Sequence, residues 1–184
     1  SIDNMTVVYT GTLNKKFGVV SLVEAFHNTG IKNAHLKICG RGDSEEIIKS
    51  YAAKDERIVL LGQLPNTEAV KLQKRATVLV NPRQNNEEFT KYSFPSKNME
   101  YLLTGRPVIS YKLDGIPDEY DIYFHYVEDD SIDSFTKKIE EILSMDEKSR
   151  SDFVYRARSY VLNEKNNISA SNKIMEMIQK SRSR

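Results

Sequence analysis

The sequence predicts a doubly wound α/β fold, a mostly parallel six-stranded sheet with helices on both faces. Three observations lead there. Short β-branched runs of strand length alternate six times with amphipathic stretches of helical length along the 184 residues. The first four runs each stop at Gly or at Asn-Pro. The connections are short, and each spans a helix, as parallel neighbours require.

Residues 6–10 (TVVYT) form the first strand, ending at Gly11. A polar loop over residues 12–16 follows, and Val19, Leu22, Val23 and Phe26 then recur at helical spacing up to Gly30. Residues 35–39 (HLKIC) are the second strand, closed by Gly40-Arg41-Gly42. Asp43 or Ser44 caps the next helix, with Ile47, Ile48 and Tyr51 on its apolar face. The third strand, residues 58–61, ends at Gly62, and a helix starts at Pro65-Asn66-Thr67 and runs through Val70, Leu72 and Gln73. Residues 77–80 are the fourth strand, stopped by Asn81-Pro82. An irregular polar stretch, residues 83–92, leads to a helix opened by Pro95 and closed by Gly105, then to the short strand Val108-Ile109. Turn signals at Asp114-Gly115 and Ile116-Pro117 precede a sixth strand over residues 123–127. Ile132, Phe135, Ile139, Ile142 and Leu143 make an amphipathic helix after the cap Asp129-Asp130-Ser131. Two further helical segments, residues 146–162 and 169–180, follow. The chain therefore reads as one domain over residues 1–184, with residues 146–184 as C-terminal helices.

Composition narrows the function. Twenty-seven basic and 26 acidic residues leave a net charge of +1, which is no nucleic-acid footprint. The single Cys39 excludes an internal disulfide. No apolar run approaches ~18 residues and no secretory signal is present, so the expected setting is cytoplasmic. With no secretion signal, the sequon at Asn167 is taken as chance. The chain opens at Ser1 and runs almost at once into a strand, which suggests a piece of something longer. The basic tail, residues 180–184, either touches an anionic membrane surface or is simply solvated.

Several easy readings fail. Gly-Thr-Leu-Asn-Lys-Lys follows the first strand, so the dinucleotide pattern G-x-G-x-x-G is missing. There is no phosphate loop of the G-x-x-x-x-G-K-[S/T] type and no G-x-S-x-G elbow. His27, His35 and His125 are scattered and read as structural; no metal-ligand spacing, D-x-D included, is visible. Asp129 and Asp130 read as a helix cap rather than a metal site.

The informative stretch is residues 94–109, FPSKNMEYLLTGRPVI. Pro95, Met99, Leu102 and Leu103 make one apolar helix face; Ser93, Ser96, Lys97, Glu100 and Thr104 make the opposite one. A cation in the first turn and a carboxylate one turn on suit a ligand with phosphate at one end and a diol at the other. On pattern alone a solvated amphipathic face explains it better, since most polar faces are solvated. In a parallel sheet, however, ligands bind at the carboxyl ends of the strands, where this helix begins.

This stretch resembles the donor-binding helix of the glycosyltransferase family 4, or group 1, enzymes. VVYTGTLNKKFGVVSLVEAF, LKICGRGDSEEI and RIVLLGQLPNTEAVKLQKRATVLVNP resemble the preceding strands, loops and helices of the same C-terminal domain, in order, over about residues 5–125. The resemblance implies the Rossmann-like, nucleotide-sugar-binding half of a two-domain GT-B enzyme. It implies transfer of a sugar from a nucleoside diphosphate to an acceptor hydroxyl with retention, in bacterial polysaccharide or glycolipid synthesis. UDP- or GDP-linked sugar is then the substrate, with no further cofactor. A glycan or lipid-linked acceptor is reached through an N-terminal domain absent from this chain, which also carries part of the catalytic machinery. The whole enzyme has possible peripheral contact with the inner face of the membrane.

Residue by residue, the resemblance gives Glu100 the donor ribose, Lys97 and Ser96 the phosphate-facing helix start, and Gly11 the close backbone approach to the donor. It gives Gly62, Gln63 and Leu64 the base. Three positions depart from the family pattern. Tyr92 stands where the first Glu of the E-x7-E pair is expected, next to Ser93. Thr12 and Phe17 replace the diphosphate-gripping Arg and Lys. Lys16 and Arg83 are the candidate substitutes, or else solvated loop charges. Rival readings are a GT-B epimerase or phosphorylase half, a non-catalytic α/β interaction module, and a dinucleotide-binding domain, the last disfavoured by its missing glycines.

Overall fold

A computed structural model describes residues 5–84, 96–152, 154 and 155. Within them six strands form one sheet, β1 (Met5–Thr10), β2 (Ala34–Cys39), β3 (Ile58–Gly62), β4 (Val78–Asn81), β5 (Val108–Ser110) and β6 (His125–Tyr126). The order is β3-β2-β1-β4-β5-β6, and every neighbouring pair is parallel. Helices α1 (Val19–His27), α2 (Glu45–Ala52), α3 (Asn66–Lys74), α4 (Ser96–Leu103) and α5 (Ile132–Ser144) fall between or after the strands.

The strands are apolar because both sides of the sheet are covered. Val7, Val8, Leu36, Ile38, Val78, Leu79, Val80, Val108 and Ile109 are buried. The order places helices on both faces. From β1 to β3 the chain steps one way along the sheet, and from β3 to β5 it steps the other way. Right-handed crossovers therefore send α1 and α2 to one face, and α3 and α4 to the other. α5 joins α1, with Thr136 Oγ1 donating to the Ala25 carbonyl at 3.0 Å. Its cap is as expected: Ser131 Oγ accepts from Ser134 N, and Asp129 accepts from Ser131 N and Ser134 Oγ. His125 lies on β6, and its burial pushes the imidazole down to about 4, as suits a neutral structural residue.

Three expectations need correction. The sixth strand is only His125–Tyr126, and Asp118–Tyr123 forms a 3-10 segment instead. Tyr120 and Tyr123 are buried from that segment, on the one side that a three-residue turn gives to positions three apart. Ser44 stands at the start of α2 without capping it: its hydroxyl donates to Asp43 Oδ1, whose carboxylate accepts from Lys15 N. On α4, Leu103 is 37% exposed, while Tyr101 and Asn98 take the inner face beside Met99 and Leu102. The helix expected over residues 146–162 is described as helical at residues 147–152, 154 and 155. The remainder, the segment at 169–180, and Pro95 lie outside the described residues.

At the amino-terminal edge of the sheet, Arg57 ties two loops together. Its guanidinium donates to both Asp55 oxygens (2.9 and 2.7 Å) and to the carbonyls of Thr29 (3.1 Å), Ile31 (2.8 Å) and His27 (3.1 Å). His27 Nδ1 lies 3.0 Å from Asp55 Oδ2, and the Arg57 guanidinium sits 5.1 Å from the Phe26 ring centroid. One side chain therefore satisfies carbonyls at the end of α1 and fixes the approach to β2 and β3.

At the other edge the strand-end loops are stitched by backbone. Gly11 N donates to Cys39 O (2.9 Å), Gly40 N to Gly62 O (2.8 Å) and Leu13 N to Arg41 O (2.8 Å). A Cβ on Gly40 would lie 1.8 Å from the Gly11 carbonyl oxygen, so glycine there is a packing requirement. Gly62 is different. Its φ is +69°, and nothing lies within 4 Å of where its Cβ would be. Gly62→Ala therefore tests conformation alone. The expected cost is about 1–2 kcal/mol, read as a lowered midpoint in urea with an unchanged slope.

Candidate functional site

The sheet changes direction between β1 and β4, whose carboxyl ends carry Thr10-Gly11 and Asn81-Pro82. Such a switch point opens a crevice between the diverging loops. α4 bridges its two sides. The Tyr101 hydroxyl accepts from Thr10 N at 2.9 Å and lies 3.2 Å from Thr10 O. Asn98 Oδ1 accepts from Asn81 Nδ2 at 2.5 Å. Both anchors are buried. Burial also pushes the Tyr101 phenol well above its usual range, so it stays neutral and keeps its proton to donate.

That docking sets the polar face of α4. Lys97 and Glu100 sit one turn apart, 32% and 24% exposed, with Nζ 3.4 Å from Oε2. Lys97 Nζ also lies 5.7 Å from the Tyr101 ring centroid. The other carboxylate oxygen, Glu100 Oε1, accepts from Gln73 Nε2 at 2.7 Å. The same nitrogen donates to Thr10 Oγ1, also at 2.7 Å. A continuous chain of contacts thus runs from Lys97 through Glu100 and Gln73 to Thr10 and Tyr101, joining α4, α3 and β1. Gln73 is 1% exposed, and its Oε1 finds no partner among the described residues. An orphaned buried carbonyl costs about 1–3 kcal/mol.

The loop after β1 is held by its own contacts. Tyr9 Oη donates to Thr12 O at 2.8 Å, and the loop buries Leu13 while leaving the Thr12 side chain exposed. Lys15–Phe17 form a 3-10 turn in which Asn14 Oδ1 accepts from Lys16 N. Lys16 Nζ and the Arg83 guanidinium each lie 5.3 Å from the Phe17 ring centroid. Phe17, which replaces a cation of the family pattern, therefore gathers two cations from separate loops. Gly18 makes this possible. Its φ is +76°, and a Cβ there would lie 2.0 Å from the Pro82 carbonyl oxygen, so the turn packs directly on the end of β4.

The structure thus brings Glu100 and Lys97 into contact, and it brings Lys16 and Arg83 to one aromatic ring. Gly11 and Gly62 both pack against Gly40. Gln63 is exposed and Leu64 half-buried just after β3, and Ser96 is exposed at the first position of α4. Tyr92 and Ser93 lie outside the described residues. Sequence reasoning gave no role to Thr10, Gln73, Asn81, Asn98 or Tyr101. A signal for Gln73 existed: it falls three and four residues after Val70 and Ala69, so a polar side chain sits on the apolar stripe of α3.

A second concavity, of about 920 Å³, lies at the opposite edge, among Lys74, Arg75, Arg106, Arg150 and Tyr155. It is remote from the strand ends that carry Gly11 and Gly62. Among the described residues no group of three His, Cys, Asp or Glu side chains is placed to hold a metal ion. No helix there is long and apolar enough to cross a membrane.

Residues 3–160 match the family described as glycosyl transferases, group 1. The chain belongs to that family. No curated protein matches this group 1 chain by sequence, but solved structures share its fold. The catalytic domain of cholesterol-alpha-glucosyltransferase from Helicobacter pylori aligns with a TM-score of 0.70 at 18% identity, over 88% of this chain and 99% of that one. The C-terminal domain of LpcC, a group 1 glycosyl transferase from Francisella tularensis, aligns at 0.73 and 17% identity, over 90% and 88%. HepE from Anabaena, solved in complex with UDP and glucose, aligns at 0.72 and 14%, over 97% of this chain and 49% of that one. At these identities the likeness is one of fold. This group 1 glycosyltransferase chain spans about half the length of HepE and nearly all of the two shorter chains.

Proposed function

We propose that this chain is the donor-binding half of its glycosyltransferase, taking a nucleoside-diphosphate sugar at the carboxyl ends of β1, β3 and β4. The observation that carries the reading is the partly exposed Glu100–Lys97 pair on a helix anchored across the switch point. Glu100 accepts the two ribose hydroxyls through its carboxylate. Lys97 and the backbone N–H groups of the first turn of α4, beside Ser96, face the diphosphate. The backbone at Gly11 and Thr12 lies against the donor, and the segment Gly62, Gln63 and Leu64 meets the base. Lys16 and Arg83, drawn together at Phe17, supply the further positive charge. Tyr92, at the family position of a sugar-contacting Glu, and Ser93 beside it in sequence complete the donor-binding set.

The chemistry follows from the leaving group. The bond from the anomeric carbon to the diphosphate oxygen breaks, a bond to the acceptor oxygen forms, and the proton of the acceptor hydroxyl passes to the departing diphosphate. Negative charge grows on the departing diphosphate, and fixed cations meet it. A charge-assisted hydrogen bond contributes roughly 1.5–3 kcal/mol and a helix terminus roughly 0.3–1, so Lys97, α4 and one more cation form a sufficient set. Retention of configuration, a cytoplasmic site at the inner face of a membrane, and a polysaccharide or glycolipid product are part of the same proposal. So is an acceptor held by a separate N-terminal domain. The chain alone is then expected to bind donor and not to turn over.

The test is a thermal-shift panel of UDP, GDP, ADP, their sugars and NAD. UDP is the first candidate, since HepE is solved with it. A nucleotide at a hundred times its Kd is expected to raise the melting temperature by about 5–10 °C. No shift with any nucleoside diphosphate would favour a module without donor chemistry, and a shift with NAD alone would favour a dinucleotide site.

A further inference from the structure

Gln73 lies on α3, outside every segment so far assigned to the donor, yet its amide makes the closest contact of the Glu100 carboxylate. Glu100 Oε1 and Gln73 Nε2 are 2.7 Å apart, and a carboxylate only accepts, so the nitrogen must be the atom that faces it. The second amide hydrogen goes to Thr10 Oγ1, again at 2.7 Å. Thr10 is itself held by Tyr101. The glutamine is thereby locked at both hydrogens, and its Oε1 is left without a partner among the described residues. A leucine or methionine would fill the same buried space with no orphaned carbonyl. Packing alone therefore does not account for a glutamine here.

We propose that Gln73 is a positioning residue for donor binding. It pins one oxygen of Glu100 against β1 and turns the other, Oε2, toward the crevice and Lys97, so that the carboxylate meets the ribose diol in one orientation. The inference rests on Glu100 being the ribose-binding group. It adds that an uncharged side chain from a different helix sets that group's geometry. Without Gln73 the carboxylate is free to rotate, and part of the ordering must then come from binding.

The experiment is calorimetric titration of UDP and GDP into the 184-residue chain and into Gln73→Met, Glu100→Ala and the double variant, with melting curves beside them. Gln73→Met is expected to weaken binding about fivefold, the cost of ordering one freed side chain on binding, and to weaken it no further once Glu100 is gone. Equal losses in the presence and absence of Glu100, or no loss at all, would overturn the inference. If Glu100→Ala binds as the wild type does, the ribose assignment itself fails, and the two failures are thus distinguishable. Should Gln73→Met not fold, the Gln73 side-chain amide resonances of the isotope-labelled wild type serve instead. They are expected to move on saturation with UDP in the wild type and to stay still in Glu100→Ala; silence in the wild type would overturn the proposal.

Discussion

Arg57→Ala is expected to destabilise the chain by about 3–5 kcal/mol, the cost of leaving one member of a buried ion pair alone. Asp55 and Arg57 side chains are 7% and 16% exposed, so water restores little of what is lost. The carbonyls of His27, Thr29 and Ile31 lose their donor at the same time. Urea denaturation followed by circular dichroism measures the effect. The same pair gives a pH dependence. Arg57, through its hydrogen bonds first, holds the Asp55 carboxyl well below its ordinary 3.8. Because the folded value is depressed, the stabilisation is present above about pH 4 and fades as pH falls below it. Asp55→Asn is expected to lose stability at pH 7 and to show a flatter profile below pH 4. Binding at the proposed donor site, on the opposite edge of the sheet, is expected to be spared in whatever fraction of each variant folds.

Glu100→Ala is expected to act mainly on the ligand. It should weaken nucleoside-diphosphate binding by about ten- to a hundredfold, the equivalent of one charge-assisted hydrogen bond, and lower stability by about 1–3 kcal/mol, because the buried Gln73 Nε2 loses its carboxylate acceptor. The carboxylate is partly exposed and its cation is a surface lysine, so the Lys97–Glu100 contact itself adds little to stability. Removing the acid also frees Lys97 toward the diphosphate, which makes the charge balance informative. Glu100→Gln keeps the shape and is expected to fall between wild type and Ala. Calorimetry with UDP and GDP reads both variants.

These two sites differ in how far the sequence revealed them. The strands β1 to β4 were legible because each is a short run rich in apolar and β-branched residues that stops at Gly or at Asn-Pro. β6 was not: Tyr120, Tyr123 and Tyr126 are spaced by threes, and only the buried tyrosines of the 3-10 segment decide the register. On α4 the spacing identified Lys97 and Glu100 on the outer face but counted Leu103 as inner. The inner face is set instead by polar tips, Tyr101 on Thr10 and Asn98 on Asn81, and apolar periodicity cannot see a hydrogen bond to another strand. The meeting of Lys16 and Arg83 at Phe17 depends on Gly18 packing against Pro82, a contact between two loops distant in sequence. Gln73 was visible as a polar residue on an apolar stripe, but its partner on α4 was not. Arg57 looked like any charged residue before a strand, because the carbonyls that it gathers belong to the far end of α1.

The central claim is that nucleotide sits at the carboxyl edge of the sheet. Amide resonances of the labelled chain titrated with UDP test it most directly. The shifts are expected to fall on Gly11 to Leu13, on Gly62 to Leu64 and on Ser96 to Glu100. Shifts confined to the basic concavity of Lys74, Arg75, Arg106 and Arg150 at the other edge, or none at saturating UDP and GDP, would contradict it.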